Sequence, residues 1–247
     1  MKKVSIFNIK GGVAKTTSTA NLGAVLSQEG KKVLLIDLDP QSNLTKLFKA
    51  YSMDDLTISD VLLDKDLDIT KVIKHTDFEN IDILPSNVTL AFAERKILLD
   101  VSRSQQNRLA KALKNIEGYD YCIIDTRPVF DSLTKNAFHV ADIMLTPIKF
   151  DNYCRDNLAL VEQFVNEYAD EKMEWKICAN MVANGKAQRE TMADLIGKHD
   201  YPILDTCVSR SAVVDNALNL YKPVLKHRRL SSVAQDYLEL AKELMEA

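Results

Sequence analysis

The residues with the clearest chemical purpose stand close to the start of the chain. Lys10-Gly11-Gly12-Val13-Ala14-Lys15-Thr16-Thr17 follows an apolar run that ends at Ile9, and helical spacing begins directly after it at Ala20, Leu22, Ala24, Val25 and Leu26. A strand, a glycine turn, a Lys-Thr pair and a helix make a cradle for phosphate. Backbone N–H groups at a helix N-terminus point outward and carry partial positive charge, so they attract anions. Adjacent glycines let that backbone approach closely. Lys15 supplies a point charge for β- and γ-phosphates, and the Thr16 hydroxyl is a ligand for Mg²⁺. Gly11, Gly12, Val13, Ala14, Lys15, Thr16 and Thr17 are therefore the candidate nucleotide-binding loop. Two positions depart from the general pattern G-x-x-x-x-G-K-[ST]: Ile9 replaces the first glycine and Ala14 the last. A methyl group at position 14 is a small intrusion if φ is negative and a costly one if φ is positive.

Acids end two apolar runs. Val33-Leu34-Leu35-Ile36-Asp37-Leu38-Asp39 is one, and Tyr121-Cys122-Ile123-Ile124-Asp125 is the other. In a parallel sheet, ligands sit beyond the carboxyl ends of the strands, where such acids hold a metal ion's water shell or orient an attacking water. Lys176-Ile177-Cys178-Ala179-Asn180-Met181-Val182 is a third apolar run, and its Asn180 amide needs partners if buried.

These residues need a scaffold, and the periodicity supplies one. Val4–Ile9, Lys32–Ile36, Ile81–Leu84, Tyr121–Ile124, Ile143–Ile148, Trp175–Val182 and Pro202–Leu204 read as strands, mostly apolar on successive residues, as expected of strands covered on both faces. Helical spacing lies between them at 15–29, 87–99, 103–116, 131–141, 152–171, 186–198 and 231–246, with shorter pieces at Thr57–Leu63 and Ile69–His75. Gly30 and Gly118 fall just after helices, where a left-handed cap is wanted. The expected fold is α/β: a mostly parallel twisted sheet with helices on both faces, in one domain spanning 1–247.

The chain has 247 residues and a net charge of −3, with 46% apolar and 27% charged residues, which excludes disorder, coiled coil and collagen. Seven glycines are few for this length, which makes the adjacent pair at 11 and 12 more telling. The four cysteines have no Cys-x-x-Cys spacing and the four histidines no metal-ligand spacing, so buried free thiols in a reducing cytoplasm are expected. No stretch is apolar enough to span a membrane, and the apolar N-terminal run is too short for a signal peptide.

The departures have a shape of their own. Lys10 stands before the double glycine, five residues ahead of Lys15. The segment resembles the K-G-G-x-G-K-[ST] loop of the ParA/MinD family of deviant Walker A P-loop ATPases, with Ala14 where that family usually has Gly. The resemblance implies a P-loop NTPase fold, ATP and Mg²⁺ as cofactors, and a slow ATPase that dimerises when ATP-bound. It makes Lys10 a residue that reaches across a homodimer to the partner's nucleotide. Asp37-Leu38-Asp39-Pro40-Gln41 looks like the family's switch I, so Asp39 is expected to position the hydrolytic water, with Asp37 near Mg²⁺. Ile123-Ile124-Asp125-Thr126 looks like Walker B and switch II, with Asp125 holding Mg²⁺ through water. The catalytic set is then Lys10, Lys15 and Asp39, and the metal set Thr16, Asp37 and Asp125. Asn180 matches the residue that reads the adenine edge. The family usually has a small residue or Pro at Arg127. Three roles are open to this arginine: contacting phosphate, pairing with an acid, or facing a partner. Ser209 replaces a usual Pro in Ile203–Ser211, and Tyr221-Lys222-Pro223-Val224 follows the family's G-x-P-V except at Tyr221 and Lys222.

Lys222, Lys226, His227, Arg228 and Arg229 form the one dense basic cluster, and Arg210, Lys186, Arg189 and Lys198 lie in the same half of the chain. Arg210, Lys222, Lys226, Arg228 and Arg229 are the candidate contacts to DNA, through a backbone-directed, salt-sensitive, sequence-independent patch. No helix-turn-helix precedes the loop. The last helix has an apolar face of Val233, Tyr237, Leu240, Ala241 and Leu244 and an acidic one of Asp236, Glu239, Glu243 and Glu246, which anionic lipid repels. It is expected to pack on the sheet, with no membrane partner. The resemblance thus points to ParA-type partitioning of a plasmid, mobile element or chromosome, in the cytoplasm and on the nucleoid, with a ParB-like DNA-binding protein as partner. The alternatives are a MinD-like positioning ATPase and a hydrolysis-deficient regulatory module.

Overall fold

The computed structural model describes residues 1–151, 153–170, 172–183, 190 and 201–246. Apart from residue 190, the helical spacing over 186–198, with Lys186, Arg189 and Lys198, lies outside the described residues.

The strands are β1 (Lys2–Ile6), β2 (Val33–Leu38), β3 (Lys74–His75), β4 (Ile81–Leu84), β5 (Tyr121–Thr126), β6 (Ile143–Ile148), β7 (Glu174–Val182) and β8 (Ile203–Ser209). They form one sheet in the order β3-β4-β2-β5-β1-β6-β7-β8. Every neighbouring pair is parallel except β3 with β4. The helices among the described residues are α1 (Lys15–Gln28), α2 (Asn43–Leu47), α3 (Ile58–Leu63), α4 (Thr89–Leu99), α5 (Arg108–Leu113), α6 (Ser132–Val140), α7 (Cys154–Tyr168), α8 (Ala212–Asn219), α9 (Val224–His227) and α10 (Ser232–Glu246).

The continuous apolar runs are explained by two cores, one on each face of the sheet. Val33, Leu35 and Ile123 point to the layer built by α1 and α10, together with Leu22, Leu26, Tyr237 and Leu240. Leu34, Ile36, Leu38, Cys122 and Ile124 alternate with them and point to the layer of α3 to α6. The expected α/β architecture is therefore the one observed.

Boundaries moved where side chains, not periodicity, set them. The helix expected over 103–116 is only Arg108–Leu113, and it starts where the Asn136 side chain of α6 accepts the N–H groups of Arg108 and Leu109 at 2.9 and 3.0 Å. The helical piece expected over Ile69–His75 stops as a 3-10 turn at Lys71, and Lys74–His75 becomes β3. Gly30 has φ +78° at the end of α1, whereas Gly118, at φ +86°, lies beyond the end of α5 in a longer connection.

The strand expected at Pro202–Leu204 runs on to Ser209. Its outer N–H groups are taken by α10: Glu243 accepts from Asp205 and Thr206 at 2.8 and 3.0 Å, and Asp236 accepts from the Ser209 N–H at 2.8 Å and from its hydroxyl. Two of the last helix's acids, Asp236 and Glu243, thus bond to β8, Glu239 and Glu246 stay exposed, and Val233, Tyr237, Leu240, Ala241 and Leu244 are buried. Ser209 supplies an N–H that a proline there would lack.

Candidate functional site

β1 delivers the chain to the phosphate loop, and Asn8 fixes its entry. The buried Asn8 amide donates to the Pro147 carbonyl at 2.9 Å, and its Oδ1 accepts the Lys10 N–H at 2.8 Å. The loop then turns through two left-handed residues, Gly12 at φ +71° and Ala14 at φ +66°. For Ala this region costs roughly 1–2 kcal/mol. The costly case foreseen for position 14 is the one realised. Tyr221, the other residue at a position where the family keeps Gly, is also left-handed, at φ +54°. No side chain caps α1 and its first turn holds no acid, so its leading N–H groups remain available to an anion. Lys15 is buried, and its ammonium donates to the Lys10 carbonyl at 3.0 Å. Burial pushes it down to about 8, against the opposing pull of Asp125 and Asp39.

The strand-end acids meet on the other side of the loop. Asp37 and Asp125 are register partners on β2 and β5, and both are fully buried. Thr16 donates to Asp125 at 2.6 Å. Burial and the neighbouring Asp37 carboxylate push Asp125 well above the usual range. Such a pair of hard oxygen donors, one in a carboxyl that resists charging without a nearby cation, fits Mg²⁺. Asp37 is engaged differently. Its Oδ2 accepts the Thr45 N–H at 2.9 Å and hydroxyl at 2.7 Å, and its Oδ1 accepts the Asp39 N–H at 3.0 Å. It holds the 39–45 segment in place, and burial raises it to about 6. Asp39 is half-buried, with Oδ1 taking the Gln41 N–H at 2.9 Å.

A cavity of about 250 Å³ opens beside Gly12, Ala14 and Thr17, and Asn180 and Tyr237 stand in its wall. Met181, Val208, Val214 and Leu218 supply apolar sides, and the exposed Arg210 and Asp215 also line it. Near the lower end of ligand-pocket volumes (~300 Å³), it suits a flat base more than a whole nucleotide.

Other expectations fall elsewhere. Lys10 pairs within its own subunit with Asp151, just beyond β6. Arg127 takes the second of its three open roles: it pairs with Glu94 on α4 and with Asp131, the N-cap of α6. Lys222, Lys226, Arg228 and Arg229 are exposed through and around α9, flanked by exposed Leu220, Tyr221 and Leu230. Arg210 lines the cavity beside Asn180. Reasoning from the sequence missed Asn8, Ser18, Thr45, Asp151 and Tyr237. Ser18 stands among Thr16, Thr17, Thr19 and Asn21, so nothing in the sequence marks it out.

A parallel sheet whose first strand leads through Lys-Thr into an uncapped helix, with carboxylates at neighbouring strand ends, defines a P-loop nucleotide-binding protein. The AAA-domain family matches residues 1–177. Over 252 residues the chain is 33% identical to the sporulation initiation inhibitor protein Soj of Bacillus subtilis, covering 98% of each. It is 31% identical over 247 residues to the virulence plasmid ParA family protein pGP5-D of Chlamydia psittaci, covering 99% of this chain and 94% of that one. Cobyrinic acid a,c-diamide synthase from Mycobacterium smegmatis, solved with ADP and magnesium, superposes with a TM-score of 0.82 at 26% identity, covering 99% of this chain and 94% of that one. The chain belongs to the ParA/MinD family of P-loop ATPases.

Proposed function

We propose that this chain is a ParA-type partition ATPase, working as one domain over 1–247 and using Mg-ATP as a switch. The observation that carries the reading is the cluster of Lys15, Thr16 and Asp125 against a base-sized cavity. The loop N–H groups and Lys15 bind phosphates, and Asn180 faces the base. Thr16 and Asp125 are the residues to hold Mg²⁺, with Asp37 ordering the segment beside them. Bound Mg²⁺ supplies positive charge against the phosphate oxygens. Asp39 orients the attacking water, and Lys10 acts in a second copy's site. The ATP-loaded pair binds DNA without sequence preference through Lys222, Lys226, Arg228 and Arg229. Slow hydrolysis, stimulated by a ParB-like DNA-binding partner, resets it from nucleoid-bound to free in the cytoplasm.

The name of the C. psittaci relative, a virulence plasmid ParA family protein, supports partitioning. No helix among the described residues is long and apolar enough to cross a membrane, and the acids Asp236 and Glu243 are engaged with β8. The test is Lys15→Ala in nucleotide-binding and hydrolysis assays with DNA and partner present. Binding and turnover should both vanish; unchanged turnover overturns the assignment. Wild-type turnover equal to that of Asp39→Ala points instead to a regulatory module without hydrolysis.

A further inference from the structure

A closed ring of four hydrogen bonds holds Asp39, and it reaches outside the residue's own segment. The Asp39 N–H donates to Asp37 Oδ1 at 3.0 Å. The other Asp37 oxygen accepts the Thr45 hydroxyl at 2.7 Å. Thr45 Oγ1 accepts the Ser86 N–H at 2.9 Å. The Ser86 hydroxyl closes the ring by donating to the Asp39 carbonyl at 3.0 Å. Three separate stretches meet here: the end of β2, α2 and the turn beyond β4. Asp37, Thr45 and Ser86 are buried. Each hydroxyl has one proton to give. Thr45 gives its proton to Asp37 and Ser86 gives its proton to Asp39, so every contact matches a donor with an acceptor.

Ser86 is the part of the ring that anchors. The Asp39 carbonyl also takes the Ser42 N–H at 2.9 Å, and its Oδ1 takes the Gln41 N–H at 2.9 Å. Both donors belong to the same turn and would move with it. Among the described residues, Ser86 alone reaches the Asp39 carbonyl or carboxylate from outside 37–45. It stands two residues beyond β4, the parallel neighbour of β2, in which Leu84 and Ile36 are fully buried register partners. The second carboxylate oxygen of Asp39, Oδ2, has no hydrogen bond among the described residues. The main chain of Asp39 is thus tied to the sheet, while one oxygen of its side chain stays open to an outside donor.

We propose that Ser86 is a positioning residue for hydrolysis: its hydroxyl pins the Asp39 main chain to the sheet and so holds the open carboxylate oxygen at the attacking water. Ser86 does not line the cavity beside Gly12 and acts only through Asp39. A group that orients a water must stay within hydrogen-bond reach of it, and a misplacement of about 1 Å can cost about 100-fold in rate. The inference rests on the reading of Asp39 as the residue that orients this water.

The experiment is single-turnover hydrolysis of Mg-ATP by excess protein, run beside calorimetric ATP binding. The proteins are wild type, Ser86→Ala, Ser86→Thr, Asp39→Ala and the double variant Asp39→Ala with Ser86→Ala. Ser86→Ala removes one bond of the ring and leaves the Ser86 N–H on Thr45. Its hydrolysis rate should fall about tenfold while ATP affinity stays within about twofold. Ser86→Thr keeps the hydroxyl and should recover most of the rate. In the Asp39→Ala background, Ser86→Ala should cost nothing more, since residues that act as one unit are not additive. A purely structural role lowers the melting temperature and does not depend on the Asp39 carboxylate. A wild-type rate in Ser86→Ala, an undiminished further loss in the Asp39→Ala background, or a loss of rate matched by a loss of ATP affinity overturns the proposal. The Asp39 reading has its own readout: measurable hydrolysis by Asp39→Ala at the wild-type rate means that another group orients the water. If Ser86→Ala does not fold, Ser86→Cys, a weak donor of similar size, takes its place.

Discussion

Lys10 and Asp151 form an ion pair within a single subunit, although 141 positions separate them in sequence. The lysine proposed to act in a second copy's nucleotide site is therefore held at home by its own chain. Reaching outward means breaking this pair, whose side chains are 23% and 31% exposed, so the cost is about 1 kcal/mol or less. Asp151→Asn should lower the ATP concentration that half-saturates dimer formation by up to about fivefold. Sedimentation velocity against ATP concentration measures it. A midpoint that stays put or rises shows that the pair does not compete with association.

Ala14 predicts a gain from a single deletion. Its left-handed backbone suits glycine, so Ala14→Gly should stabilise the fold by about 1 kcal/mol. In a chain of this size that raises the melting temperature by about 2–4 °C. Ala14→Val, bulkier and β-branched, should lower it. Calorimetry of the three proteins without nucleotide checks the order, and a Gly variant no more stable than wild type refutes the strain argument.

Arg127 should matter to stability and not to nucleotide. It clamps α4 to the start of α6 through Glu94 and Asp131, all three side chains being under 20% exposed. Arg127→Ala leaves two nearby carboxylates unpaired and should cost about 2–3 kcal/mol in urea unfolding. ATP affinity at 25 °C should stay within about twofold, a change of under half a kcal/mol. A tenfold loss of affinity with unchanged unfolding would place the guanidinium on phosphate instead.

The basic stretch around α9 makes an electrostatic prediction. If its side chains neutralise DNA phosphates, Arg228→Ala with Arg229→Ala should weaken binding to unrelated duplexes equally and flatten the salt dependence. The slope of log K against log salt should fall by about 1.8, or 0.9 per lost contact. An unchanged slope removes the patch from the DNA surface.

The thiols should react in a set order. Burial pushes Cys122 and Cys178 up to about 12 and Cys154 to about 11. At pH 8 a thiol at 12 is thiolate in roughly one molecule in ten thousand. Cys207, less buried than these, should be alkylated first by iodoacetamide in the native protein, the others only on unfolding. Mass spectrometry reads the order, and early modification of Cys122 or Cys178 contradicts it.

What could be read in the sequence was chemistry carried by one short stretch. The loop at 10–17 and the acids at 37, 39 and 125 each sit where a run of strand residues stops, so element and function coincide locally. What could not be read depends on closure of the chain. Tyr237 shows in sequence only as one of five apolar positions on a helix; its hydroxyl meets Ser18, 219 positions away. Asp236 and Glu243 look like a solvated face until β8 lies beside them. Ala14 was legible as a departure, but its φ was not. Arg127 was legible as a charge with three open roles, and the choice among them needed Glu94, 33 positions away on α4.

The carboxylates of α10 that take the outer N–H groups of β8 have a consequence for solubility. A strand with free N–H groups at the border of a sheet is a template on which another chain can add itself and begin an aggregate. Here Asp236 and Glu243 occupy those groups with charged acceptors, and at the opposite border β3 is only two residues long and antiparallel. Neither border invites sheet extension, so association through an added strand is disfavoured at both.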